Sequence, residues 1–89
     1  MTETAQTQDR LTMAEMRVMH AAHRNTDNYQ PSEGALATAS RLYARGLLEH
    51  DRAWPDVTAL TEKGADAYWA EIDRLAAAHG DAWLDRHFR

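Results

Sequence analysis

The sequence predicts a mainly α-helical fold with one small two-stranded antiparallel β-hairpin. Three observations predict it. From residue 65 onward, Ala65, Tyr68, Trp69, Ile72, Leu75, Ala76 and His79 recur at spacings of three and one, the stripe of an amphipathic helix. At residues 12–15, Thr12 and Glu15 spell a capping box that opens an earlier helix. Between them, "LLEH" and "VTAL" are short strand candidates joined by "DRAWPD", whose Pro suits a turn and not a ladder.

Taken in order, residues 1–10 read as a flexible N-terminal lead-in. The first helix is expected over 13–24. Leu11 and Met16 stand where a hydrophobic staple places them, and Met16, Met19 and His23 follow helical spacing beside Val18 and Ala22. "NTDNYQPSEG" is punctuation, and Pro31 disfavours helix at Gln30. Ser32 is expected to cap a second helix over 33–45, with Leu36, Ala39, Leu42 and Tyr43 as its apolar stripe. Gly46 suits the position just past that helix, and Thr61 caps the long one. Gly80 ends the long helix, and Asp81 is expected to cap a helical tail over 81–89 with Trp83, Leu84 and Phe88 as its apolar side.

The totals bound the function. A chain of 89 residues is one small domain, with 44% hydrophobic and 27% charged residues. A domain of this size is marginal alone, so self-association is favoured. Cysteine is absent, which excludes disulfides and thiolate metal sites and fits a reducing compartment. No apolar run approaches the roughly 20 residues of a membrane helix. The polar N-terminus lacks a signal core, so the sequence reads as cytoplasmic and without a membrane partner. The formal charge of −4 opposes strong nonspecific binding to nucleic acid but leaves room for a local basic face. All but one of the cationic residues are Arg, the side chain suited to bidentate contact with phosphate or guanine.

The segments "LTMAEMRVM", "RLYARGLLEHD" and "ALTEKGADAY" together resemble the winged helix-turn-helix domains of two types of transcription factor. These are the multiple-antibiotic-resistance-regulator type and the phenolic-acid-decarboxylase-regulator type. In those families an LT-x-x-E start opens a helix, an L-x-x-R-G-L-(L/V)-E segment leaves the recognition helix for the wing, and L-T-E-x-G leaves the wing for the dimerisation helix. The resemblance covers roughly residues 11–70. It implies a winged-helix domain over 11–80 and a C-terminal helical tail over 81–89. The family places a separate helix before the recognition helix, whereas residues 24–34 here leave room for one turn at most.

The resemblance implies a dimeric DNA-binding transcription regulator. Ser32, Gly34, Ala35, Thr38 and Arg41 would face the major groove, Arg45 and Arg52 would reach phosphates, and Trp54 would join Arg52 at the wing tip. Arg17 and Arg24 would enlarge this basic face if they share its side. Tyr68, Trp69, Ile72, Leu75, Trp83, Leu84 and Phe88 would form the dimer interface. The plainer reading makes Arg41 and Arg45 a solvated pair one turn apart and folds the tail over its own domain. The alternative function is a protein-interaction module, either an adaptor or a phage-type inhibitor of a host or repressor protein, which does not bind DNA. The acidic balance and Trp54 suit it.

Catalysis, cofactor and metal have no motif. The carboxylates read as scattered on solvent faces, and the five His residues read as helix-end and surface groups.

Overall fold

The computed structural model describes residues 10–25 and 28–88. In chain order they form helix α1 (Met13–Arg24), a 3-10 turn (Glu33–Ala35) leading into helix α2 (Leu36–Ala44), strands β1 (Leu48–His50) and β2 (Thr58–Leu60), helix α3 (Glu62–His79) and helix α4 (Asp81–Phe88). The architecture is mainly α with a single two-stranded antiparallel sheet among the described residues. Of the expected lead-in over 1–10 only Arg10 is described, and Arg89 of the expected tail lies outside the described residues.

The capping box sets the start of α1. The Thr12 hydroxyl accepts the Glu15 N–H at 3.1 Å, and the Glu15 carboxylate accepts the Thr12 N–H at 2.8 Å. Leu11 and Met16 are both buried, as a staple requires. Met16, Val18, Met19 and Ala22 face the core, while His23, at the end of the expected stripe, stays exposed.

Between α1 and α2 the described residues form turns and extended chain. The Tyr29 carbonyl accepts the Thr58 N–H at 2.8 Å and ties this connection to β2. Two expectations for α2 need correcting. The Ser32 hydroxyl makes no capping bond; its carbonyl instead accepts the Ala35 N–H at 2.9 Å and closes the tighter 3-10 turn. Leu36 is 53% exposed. It lies two turns before Tyr43 on one edge of the helix and overhangs a groove facing the hairpin, so the buried stripe is Ala39 and Leu42 with Tyr43 beside them.

The end of α2 is a Schellman motif. The Leu47 N–H reaches the Leu42 carbonyl at 2.9 Å and the Gly46 N–H the Tyr43 carbonyl at 3.0 Å, with Gly46 at φ 75°. The hairpin pairs Leu48 with Leu60, Glu49 with Ala59 and His50 with Thr58. Its base then closes on α3. The Thr61 hydroxyl donates to the Gly46 carbonyl at 2.6 Å and accepts the Gly64 N–H at 2.8 Å, and the Thr61 N–H donates to the Leu47 carbonyl at 3.2 Å. A methyl group at Gly64 would stand 2.0 Å from the Leu47 oxygen, so only glycine fits this approach.

That approach fixes the rotation of α3 and corrects its predicted stripe. The buried face runs through Gly64, Tyr68, Glu71 and Leu75, with Ala65, Ile72 and Ala76 at its margins. Trp69 is 48% exposed and His79 is also exposed. The carboxylates are likewise not all on solvent faces, because Glu15 and Glu71 are each only 5% exposed.

Gly80 separates α3 from α4, and its carbonyl accepts the Leu84 N–H at 3.3 Å. Gly80 thereby takes the capping place expected for Asp81, which is the first residue inside the helix. The tail folds back over its own domain. Phe88 is buried and meets the His20 ring edge-on, at 5.6 Å between centroids. Met16, Met19 and Leu42 are the most completely enclosed side chains of the core.

Candidate functional site

The 3-10 turn and α2 present an outward face of small residues. Glu33, Gly34, Ala37, Ser40, Arg41 and Ala44 are exposed there, and Ser32 stands exposed just before the turn. Ala35 and Thr38 are half-buried. The Arg41 guanidinium donates to the Thr38 hydroxyl at 3.3 Å and is otherwise open to solvent. Across a shallow groove of about 380 Å³, bordered by Pro31, Leu36, Tyr43, His50 and Pro55, rises the hairpin. Tyr43 spans this boundary. Its hydroxyl bonds the buried Thr58 hydroxyl at 2.7 Å, and its ring stacks on His50 at 4.7 Å.

The loop from 51 to 56 is shaped by its own side chains. The Asp51 carboxylate accepts the N–H groups of Ala53 at 2.9 Å and Trp54 at 3.0 Å. The Val57 N–H then donates to the Trp54 carbonyl at 2.8 Å, enclosing Pro55 and Asp56 in a tight turn. Asp51 is thereby engaged with backbone and forms no ion pair with a described arginine. Arg52 and Trp54 stand outward, Trp54 at 68% exposure.

The eight residues expected at a nucleic-acid surface therefore divide. Ser32, Gly34, Thr38 and Arg41 share the start and outer side of α2, whereas Ala35 packs partly against the core, and Arg52 and Trp54 share the hairpin loop. Arg45 does not join them, because its half-buried side chain turns to Glu15 at the edge of a different cleft. Its guanidinium lies 3.3 Å from the Glu15 carboxylate and donates to the Arg10 carbonyl at 3.4 Å. Among the described residues the ion pairs are Arg10–Glu71, Arg45–Glu15 and Arg74–Glu71, so neither Arg41 nor Arg52 forms one with Glu49, Asp51 or Asp56. Arg24 points elsewhere, into a cleft beside α3 and α4.

The residues expected at a dimer interface also divide. Tyr68, Leu75 and Phe88 use their surface inside the chain, at 2%, 6% and 5% exposure. Trp69 is exposed, and Ile72, Trp83 and Leu84 are half-buried. Tyr68 anchors an aromatic cluster. Its hydroxyl lies 2.9 Å from His20 Nδ1, and its ring faces His23 at 5.5 Å and the edge of Trp69 at 5.1 Å. Burial disfavours the charged form of both partners. It lowers the pKa of His20, helped by the positive charges of Arg24 and His23, and raises that of Tyr68 against the opposing pull of Arg24. His20 is half-buried against Tyr68 and Phe88 and so is not one of the fully exposed surface histidines expected. His79 and His87 sandwich Trp83, each ring 4.3 Å from the indole. Among the described residues no three His, Asp or Glu side chains converge as metal ligands.

Sequence reasoning missed the two buried carboxylates. Glu71 was legible in part, since it lies three residues from both Tyr68 and Arg74 on a helix. Its pairing with Arg10 crosses most of the chain and left no local signal. No known protein family, curated protein or solved structure matches this chain.

Proposed function

We propose that the chain is a winged-helix domain that binds double-stranded DNA, as a homodimer, in the role of a small cytoplasmic transcription regulator. One observation carries this reading. Arg41 on the outer side of α2 and Arg52 on the hairpin loop are both exposed, and among the described residues neither forms an ion pair with a carboxylate. The order helix, helix, hairpin, helix supports it, as does an α2 face small enough to enter a major groove. The α2 start would lie in the groove, with Thr38 and Ser40 offering hydroxyls and Ala35 and Ala37 offering methyl contacts. Arg52 and Trp54 would rest on the backbone. Exposed Trp69, with Ile72, Trp83 and Leu84, would supply the contact between copies. The role is binding, not catalysis. No described helix is long and apolar enough to cross a membrane.

The test is fluorescence anisotropy with pooled duplexes at two salt concentrations, beside an Arg41→Ala, Arg52→Ala double variant. Binding is expected to weaken with salt, with a slope of about −2 per protomer if two phosphates are neutralised, and to vanish in the variant. A folded protein that binds no duplex at low salt would overturn the proposal. The protein-interaction reading would then take its place. A specific observation favours that second reading: Leu36 at the groove and Trp54 on the hairpin loop, 53% and 68% exposed, are large apolar side chains.

A further inference from the structure

A second concave surface lies between the C-terminal end of α2 and the side of α3, with a volume of about 830 Å³. Its lining carries Arg10, Arg45, Lys63 and Arg74 beside Ala44, Leu47, Ala67 and Ala70, with Asp66 and Glu71 as its acidic members. An acidic chain thus gathers four of its 10 cationic residues at one cleft. The sequence scatters them, because the nearest two are eleven positions apart.

These cations are held in place. The Lys63 ammonium donates to the Arg45 carbonyl at 3.2 Å. Arg45 is fixed by Glu15 and by the Arg10 carbonyl. Arg10 and Arg74 both pair with Glu71. Two buried carboxylates therefore anchor three guanidinium groups, while the side chains of Arg10 and Arg74 remain 57% and 43% exposed. A guanidinium has five N–H donors, so one carboxylate contact leaves others available. Side chains already fixed lose less freedom when a partner arrives, which favours binding.

We propose that this cleft docks an acidic amphipathic protein segment, its small apolar side chains against the alanines and its carboxylates on the cations. Charge and shape select this partner together. The alanines admit close approach of a chain, and the surrounding charge is of the opposite sign to Asp and Glu. A nucleic-acid backbone fits less well. The exposed Asp66 also lines the cleft, where an unbroken line of phosphates would meet it, whereas peptide carboxylates are spaced by neutral residues. The surface shares only Arg45 with the candidate DNA-binding residues, so it stands independently of the DNA reading.

The test is an NMR titration of the whole chain with three probes. These are a synthetic peptide of Glu, Leu and Ala, the same peptide with Gln for Glu, and a mixed-sequence DNA duplex. The Glu peptide is expected to shift the amides of Ala44, Leu47, Ala67 and Ala70 saturably, and to bind about tenfold more tightly than the Gln peptide. Lys63→Gln keeps an N–H donor for the Arg45 carbonyl and Ala70→Glu alters an exposed position, so the fold should survive them. Each is expected to weaken the Glu peptide several-fold. Equal affinity for the two peptides, shifts confined to other surfaces, or indifference to Ala70→Glu would overturn the proposal. A duplex that moves these amides when the Glu peptide does not would overturn it in favour of a nucleic-acid surface.

Discussion

The two ends of the hairpin are built on different terms. At the base, Thr61, Lys63 and Gly64 meet Arg45, Gly46 and Leu47 through hydrogen bonds and one close backbone approach, so three elements are locked to each other. At the tip, Arg52 to Asp56 are all exposed, and the loop takes its shape from Asp51 and a single turn. The base holds the fold, and a change there is transmitted to α2 and α3 together. The tip holds only itself, so a large apolar residue such as Trp54 sits there at no cost to the core.

Four substitutions test this contrast. Gly64→Ala is expected to be the most damaging. The added methyl group has no room against the Leu47 oxygen, and overpacking of this severity costs about 3 kcal/mol. For a domain of this length that lowers Tm by roughly 15 °C, measurable by circular dichroism. A loss of only a few degrees would mean that α3 steps away freely and the base is not rigid. Thr61→Ala removes a helix cap and the bond to Gly46, and is expected to cost about 1–2 kcal/mol in urea unfolding, with Thr61→Ser restoring most of it. Asp51→Ala should cost about 0.5–1 kcal/mol and speed hydrogen exchange at Ala53 and Trp54 while leaving the amide of Gly64 protected. Trp54→Ala should change stability by less than about 0.5 kcal/mol. If it destabilised the protein as much as Thr61→Ala, the tip and the base would not be separate.

Local chemistry made much of this legible in the sequence. Thr12 with Glu15, Thr61, and Gly46 each act on residues within a few positions, and each was read correctly from its neighbours. The failures are non-local. Which face α3 buries depends on Gly64 meeting Leu47, seventeen residues earlier in the chain, and a stripe of Tyr68, Trp69 and Ile72 contains no trace of that contact. Arg45 looked free for phosphate because its partner, Glu15, is thirty residues away. Ser32 looked like a cap because nothing in the sequence distinguishes a helix that opens with a 3-10 turn. For the candidate site, the sequence located Arg41, Arg52 and Trp54 on exposed elements but could not say which arginines the protein keeps for itself.

The closure at the hairpin base also has a consequence for the order of folding. Its bonds join residues 15 and 18 apart in sequence, whereas the His20–Tyr68 contact spans 48. The entropy lost on closing a loop grows with its length, so α2, the hairpin and the start of α3 form the less costly nucleus. On this account the α2–hairpin–α3 unit assembles first and α1 and α4 dock onto it afterwards. Weakening the Thr61 junction would then slow folding, while loosening Phe88 would chiefly hasten unfolding.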